Sequence, residues 1–479
     1  MRNNRIAMQQ PSRRQVMAGI GGLIVGAWLP GLAGQAEAAI TDPIPGRILK
    51  SSLPAIELVD FSAPPRSRST KPYTLLNQLY HAGDGSGRLF ACDTRGKIWL
   101  IDPASGAARL FLDVRAARGS AFVATSNQMG LRSFAFHPDF ARPGRPGHRK
   151  FYTVTTETVG SRPGNVRLFE GQFAANFHDV LAEWKVYNGD PTRVDRASRR
   201  EVLRIAQNLP DHNTGQIMFN PNAKPSDRFY GNLLIGVGDG GNNPSFIDPH
   251  DAAQSARRAH GKILRVDPLQ QSNGSAYGVP ADNPFVGRSG HLTEIFARGL
   301  RNPQNLCFDP GGSGAFILTD IGQSHIEEVN LGIKGANYGW PLREGTFVID
   351  RRNPRNLSRL PAGDRGYTYP VAQYDHDEGR AIAGGFVYRG NAAPALRGHY
   401  LFGDIVNGRV FHVPVAELRL GRQATIRELT FRHKGRAVTL QNLVQGMNGR
   451  VDLRFGQGEN GEVYILTKQD GMIRRLRQS

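Results

Sequence analysis

Asp211 and His212 stand side by side in Leu209–Asn220 (LPDHNTGQIMFN), a loop that opens onto an apolar, strand-like run. Imidazole is the side chain that changes charge near neutral pH, so this pair offers a general base and a carboxylate to orient or charge it. Twenty-seven residues beyond His212 comes Asp239, inside the glycine-rich segment Gly236–Asn243 (GVGDGGNN). Its plainest reading is a β-turn cluster whose aspartate can also meet a cation. An Asp-His dipeptide in a loop is commonly a pair of solvated turn residues. The pair gains meaning only from the elements that position it.

Those elements read as strands. Short β-rich runs lie at Arg88–Asp102, Lys150–Thr158, Arg228–Gly241, Gly314–Gly322, His399–Val413 and Gly461–Leu476. Several share one pattern, an aromatic or aliphatic strand, a polar Asx-Gly turn and a second strand. Thr94–Lys97, Val406–Arg409 and Gln469–Gly471 have the composition of hairpin turns that need positive φ. Glycine at 57 and proline at 30 of 479 residues suit a turn-rich β protein. Six units with elaborate loops predict an all-β fold, a six-bladed β-propeller, in which loops from distant parts of the sequence meet at a central axis. Parallel-sheet folds would need long amphipathic helices. The clearest helical stretch is short, Asp251–His260, and Arg351–Arg365 reads as a surface loop.

The N-terminus reads as a targeting segment over residues 1–38. Ser12-Arg13-Arg14-Gln15-Val16-Met17 precedes the apolar, glycine-rich stretch Ala18–Leu32, and Ala36-Glu37-Ala38 supplies a small-x-small cleavage site. Paired arginines there resemble a twin-arginine signal; an ordinary Sec signal is the alternative. Either predicts a periplasmic or secreted protein with residues 39–479 as the mature chain, and no later segment has the length of a transmembrane span. The formal charge is +19, of which Arg2, Arg5, Arg13, Arg14 and Glu37 account for +3 and the remainder +16. The basic residues are scattered singly, without the stripe that a nucleic-acid partner requires. Cys92 and Cys307 are the only cysteines; they read as two buried thiols, although an oxidising compartment would permit them to pair.

Further motifs follow in order: SNQMGLRSFAFHPDF (Ser126–Phe140), GKILRVDP (Gly261–Pro268), YGVPADNPF (Tyr277–Phe285), EIFARGLRNPQNLCFDP (Glu294–Pro310), TDIGQSHIEE (Thr319–Glu328) and VNLGIKGANYGWP (Val329–Pro341). From Tyr80 to Leu476 the series resembles the soluble quinoprotein glucose/sorbosone dehydrogenase family, most closely between Gly215 and Pro341. The resemblance implies a propeller that oxidises aldoses with pyrroloquinoline quinone (PQQ) and calcium and hands electrons to an acceptor in the envelope. By position, His212 matches the base that takes the sugar C1 hydroxyl proton, and Asp211 the carboxylate that contacts sugar or holds the imidazole. Gln128 matches a pocket glutamine. Arg301 and Asn302 match a pair at the quinone carbonyls, where a cation stabilises developing charge. The carbonyls of Gly322 and Gln323 match calcium ligands, and Glu328 and Tyr338 match ligands of a second, structural calcium. Plainer readings stand beside these. Asn302-Pro303 makes a turn, Gly335–Trp340 a packed blade corner, Glu327-Glu328 a solvated strand edge, and His137 a structural turn residue.

The chain also departs from the family pattern. Where sugar-oxidising members place a cofactor-binding lysine, this chain reads Asp404–Arg409 (DIVNGR), with Val406 at or beside that position and Arg409 the nearest cation. An Arg-x-Arg-Asp cluster against the quinone carboxylates becomes Arg450-Val451-Asp452-Leu453-Arg454, with the charge kept and the spacing changed. A sugar-contacting glutamine becomes Asn243-Pro244. Three functions therefore compete: a PQQ aldose dehydrogenase, a propeller that binds carbohydrate or protein without redox chemistry, and a calcium-dependent lactonase.

Overall fold

The computed structural model describes residues 40–171, 173–241, 251–271 and 274–478. The leader at 1–38 and Asn243-Pro244 lie outside them.

Among the described residues, the strands form six successive four-stranded antiparallel runs. The first is Leu76–His81, Leu89–Asp93, Lys97–Ile101 and Ala108–Asp113. The second is Leu131–Phe136, Lys150–Thr158 and the long hairpin of Phe177–Tyr187 with Asp190–Gln207. The third is Thr214–Phe219, Leu233–Val237, Lys262–Val266 and Ile295–Arg298, and the fourth Asn305–Phe308, Phe316–Asp320, Ile326–Leu331 and Ala372–Asp375. Ile382–Ala383, His399–Asp404, Val410–Pro414 and Arg427–Glu428 make the fifth. The sixth combines Leu453–Gln457, Val463–Thr467 and Met472–Gln478 with Ile56–Ser62 from the other end of the chain, in register from Ile56 opposite Gln478 to Asp60 opposite Arg474. A single parallel pair, Leu79 with Gly456, joins the sixth run to the first.

Contacts between runs pass mainly through their first strands. They run from Leu76–His81 to Leu131–Phe136, Thr214–Phe219 and Asn305–Phe308. Phe316–Asp320 then meets Ile382–Ala383, which meets Leu453–Gln457, which returns to Leu76–His81. Each sheet is thus covered on both faces by its neighbours, which is why inner strands read as unbroken apolar runs rather than alternating ones. Leu233–Val237 (LLIGV) and Val463–Thr467 (VYILT) are buried at every position. Aromatic rings fill the wedges between sheets: Phe90 lies 4.6 Å from Phe136, and Tyr374 5.4 Å from Phe411, between ring centroids.

Two expectations fail. Asp251–His260 forms turns rather than a helix. Its carbonyls serve tertiary donors: Lys262 Nζ donates to Ala252 O and Ala253 O (2.8 Å each), Gly299 N to Ala253 O and Leu292 N to Ala256 O. Arg351–Arg365 is more than a surface loop, because Leu357–Arg359 pairs with Phe347–Ile349 in a three-stranded sheet and Leu357 is buried. Among the described residues the α-helices are instead the single turns Val114–Arg118 and Leu440–Val444, capped by the Asp113 and Thr439 side chains. Cys92 and Cys307 are buried free thiols. Among the described residues no helix is long and apolar enough to cross a membrane.

Candidate active site

His212 occupies the tight passage into the third run. Its φ of 54° lies in the left-handed region, and its backbone is clamped from both sides. Gln128 Oε1 accepts from His212 N at 3.0 Å, and Gly240 N donates to His212 O at 3.2 Å. The Gly238 backbone passes so close that a Cβ there would stand 2.3 Å from His212 O. That approach explains the glycine at 238, and a φ of +90° at Gly240 explains its neighbour.

The carboxylate that holds the imidazole is Asp239, not Asp211. Asp239 Oδ1 lies 2.7 Å from His212 Nδ1 and accepts from Gly241 N, while Oδ2 accepts from Trp340 Nε1 at 2.9 Å. Burial alone would raise the Asp239 pKa, but His212 and Arg301 together hold it below the usual carboxylate value. An ionised carboxylate only accepts, so Nδ1 carries a proton, and in the neutral imidazole the lone pair sits on Nε2. Asp211 is exposed and accepts from Gln128 Nε2 at 3.4 Å. It forms the rim beside the imidazole.

Gln128 links three runs. Its Oε1 also accepts from Gln304 Nε2 at 2.7 Å and lies 3.5 Å from Asn302 Nδ2. Arg301 and Asn302 are buried and fixed at their backbones by Asp320, whose Oδ2 and Oδ1 accept from Arg301 N (2.8 Å) and Asn302 N (2.6 Å). The Arg301 guanidinium lies 5.6 Å from the Trp340 ring centroid. Gln128, Asp211, His212, Arg301 and Asn302 therefore share one site, to which Asp239, Gln304 and Trp340 are added. The signals for the additions were present: Asp239 in the GDGG turn, Gln304 in LRNPQ, and Trp340 in the corner read as packing alone.

Of the groups matched to calcium, the Gly322 carbonyl, Glu328 and Tyr338 are engaged otherwise. Arg301 Nη1 donates to Ile321 O (2.9 Å) and Gly322 O (2.6 Å), and its Nε and Nη2 donate to Gln323 Oε1. A calcium ion at Gly322 would have to displace a guanidinium, so this arrangement does not fit the ion. Tyr338 Oη donates to Leu331 O and accepts from Ile333 N. Glu328 is buried rather than on a solvated edge, accepting from Asn330 Nδ2 and Gly345 N; burial, with Asp320 opposite it, raises its pKa. Glu327 is buried too, between His376 Nε2 and Ile382 N. No cluster of three or more His, Cys, Asp or Glu side chains suited to a metal ion occurs among the described residues.

The basic residues matched to the cofactor divide. Arg409 is matched by two carboxylates, Glu378 and Glu428 (2.7 Å), and does not replace the absent lysine. Arg450 pairs with Asp452 at 2.6 Å. Arg454 is buried, and the bond it gives is from Nη1 to Leu453 O at 2.7 Å. Two cations outside the sequence-based set adjoin it: Arg132 of the second run and Lys468, just past the sixth run's central strand. Both are buried.

The family model described as Glucose / Sorbosone dehydrogenase matches residues 77–475. HIPL2 protein of Arabidopsis thaliana is 31% identical over 372 residues, 69% of this chain and 50% of that protein. Hedgehog-interacting protein of Homo sapiens is 25% identical over 396 residues, 82% and 48% of the two chains. The chain thus spans about half the length of these curated relatives. The PQQ-bound form of aldose sugar dehydrogenase from Streptomyces coelicolor superposes with a TM-score of 0.55 at 18% identity, covering 87% of this chain and 99% of that one. The ring of antiparallel sheets is accordingly of that enzyme's fold. With nearly the whole described region matched, the chain belongs to the glucose/sorbosone dehydrogenase family.

Proposed function

We propose that this protein is an exported PQQ-dependent sugar dehydrogenase, a six-bladed propeller that oxidises the C1 hydroxyl of an aldose to the lactone. Its electrons pass to an acceptor in the cell envelope, in the periplasm or outside the cell. When bound, PQQ supplies a quinone that takes up the C1 hydride. The observation that carries the reading is the His212–Asp239 pair, which in the neutral imidazole leaves the Nε2 lone pair as the base, beside the exposed Asp211. His212 Nε2 takes the C1 hydroxyl proton, and Asp239 stabilises the imidazolium that results. Arg301, with Asn302 beside it, offsets negative charge at the hydride-accepting end of the site. Asp211 and Gln128 stand where they can bind sugar hydroxyls. A donor set for an anionic cofactor is supplied by the buried cations Arg132, Arg454 and Lys468.

A second reading, a propeller that binds carbohydrate or protein without redox chemistry, is favoured by relatives such as HIPL2 protein and Hedgehog-interacting protein, whose names denote no dehydrogenase. Reconstitution separates the two. Mature protein incubated with PQQ and then an aldose is expected to reduce a dye, and His212→Ala is expected to abolish turnover while PQQ remains bound. A folded protein that does not bind PQQ would favour the second reading, and an active His212→Ala variant would exclude the proposed base.

A further inference from the structure

Buried cations are costly unless an anion accompanies them, and one part of this site has too few anions. Lys468 and Arg454 come from the sixth run. Leu453 pairs with Thr467, Arg454 with Leu466, and Lys468 N donates to Asp452 O at 3.3 Å, so the two side chains issue from neighbouring strands. Arg132 approaches from the second run, and Asn77 ties the groups together: its Nδ2 donates to Arg132 O (2.6 Å) and its Oδ1 accepts from Lys468 Nζ (3.1 Å). Arg132 donates to Asn127 O and Thr214 O, next to Gln128 and His212, so the group is continuous with the candidate active site. All these acceptors are neutral.

The carboxylate beside Lys468 and Arg454 is committed. Asp452 takes both Nε and Nη2 of Arg450, together with Gln469 Nε2. Asp179 and Asp211 lie on the Arg132 side, where Asp179 already accepts from Thr214 N, Gln207 Nε2 and Thr156 Oγ1. Around Asp452 there are thus three cations, Arg450, Arg454 and Lys468, for one carboxylate. The shortage of negative charge acts on their protonation. Burial, reinforced by Arg132 and Arg450, brings Arg454 down to about 10, and burial with Arg454 and Arg132 brings Lys468 well below an ordinary lysine.

We propose that Lys468, Arg454 and Arg132 form a recess for the carboxylates of the bound cofactor, with Lys468 supplying from a different run the cation that Val406 does not. The proposal rests on the quinone reading for the identity of the ligand, but the recess itself is a site for any small polycarboxylate. A carboxylate seated there gives Lys468 and Arg454 the counter-charge that Asp452, paired with Arg450, does not supply. The ligand-free protein carries the cost of holding the recess open.

The test is equilibrium binding, by quenching of intrinsic fluorescence and by calorimetry, of PQQ and of citrate, a redox-inert tricarboxylate. It compares the wild-type chain with Lys468→Met, Lys468→Arg and Arg454→Met. Loss of one charge-assisted contact is expected to weaken PQQ about ten- to a hundredfold in Lys468→Met and Arg454→Met, with Lys468→Arg retaining most of the affinity. The ligand-free Lys468→Met protein is expected to melt at or above the wild-type temperature, because an unneutralised buried charge has been removed. Citrate binding that depends on Lys468, in a protein that does not bind PQQ, would leave the recess standing and remove the quinone reading. PQQ binding that is unchanged in both Met variants would overturn the recess and leave the quinone reading standing. A wild-type protein that binds neither anion, or a ligand-free Lys468→Met variant that melts lower or fails to fold, would also overturn the recess, the latter by showing that Lys468 serves the fold.

Discussion

Replacing Asp239 by asparagine tests the base assignment without changing the size of the side chain. Asp239 accepts three bonds, from His212 Nδ1 at 2.7 Å and Gly241 N at 3.0 Å on Oδ1, and from Trp340 Nε1 at 2.9 Å on Oδ2. The indole N–H can only donate, so the amide oxygen of an asparagine must face Trp340 and its NH2 must face His212 and Gly241. The NH2 then confronts the Gly241 N–H, and His212 Nδ1 is forced to accept. The imidazole proton moves to Nε2, where the lone pair was required. Loss of the charged acceptor costs about 1.5–3 kcal/mol of interaction, and loss of a positioned base costs about 10²–10⁴ in rate. We therefore expect Asp239→Asn to lower kcat for dye reduction by two to four powers of ten, while PQQ affinity stays within about tenfold, or roughly 1.4 kcal/mol. The two quantities are separable by titrating PQQ into ligand-free protein and then measuring turnover at saturation. Turnover within about tenfold of wild type at full PQQ occupancy would refute the argument that Asp239 sets the tautomer.

Arg409→Gln is expected to leave PQQ affinity unchanged, because Glu378 and Glu428 already match that guanidinium; a large loss in the same titration would show that it reaches the cofactor. Gly238→Ala drives a Cβ into His212 O and is expected to lower the denaturation midpoint by the equivalent of about 1–3 kcal/mol and to reduce turnover, as urea unfolding and dye reduction would record. Calcium is expected to leave the melting temperature unchanged, with or without PQQ, since Arg301 engages Gly322 O; a rise of several degrees on adding calcium would refute that reading. The pH dependence of Lys468→Met has a fixed sign. The folded pKa of Lys468 lies below its unfolded value, so between the two the unfolded chain binds more protons and this residue's contribution to stability rises with pH. The stability advantage of Lys468→Met in the ligand-free protein is therefore expected to be largest at low pH and to vanish as pH approaches the unfolded value of about 10.4, which paired denaturation curves would follow.

The strands were legible because burial on both faces leaves compact apolar runs between glycine turns. Lys150–Thr158 is found with the expected bounds, and His399–Val413 divides at the expected Asn407-Gly408 turn into His399–Asp404 and Val410–Pro414. Asp251–His260 was not legible, since its helical composition is overridden by donors such as Lys262 Nζ that only the fold brings to it. The site divides along the same line. His212, Gln128, Arg301 and Asn302 belong to continuous motifs and could be picked out by position. Asp239 was visible as a turn aspartate, but its link to His212 depends on the backbone of Gly238–Gly241 folding back over the histidine loop.

Charge was the least legible property. The sequence offers Arg409 as the cation nearest the missing lysine, one turn away along the chain, yet Glu378 and Glu428 draw it into ion pairs. Lys468 lies more than sixty positions from Val406 in the sequence and resembles any residue of a hairpin end (TKQDG). In the fold it is buried with Arg454 and Arg132, and Asp452 is already shared. A cation counts toward a ligand only after nearby carboxylates have been subtracted, and that subtraction requires three dimensions. A loss read from one strand can therefore be offset from another. Substitution at Lys468 is consequently a sharper measure of whether this chain holds an anionic cofactor than any substitution at Val406.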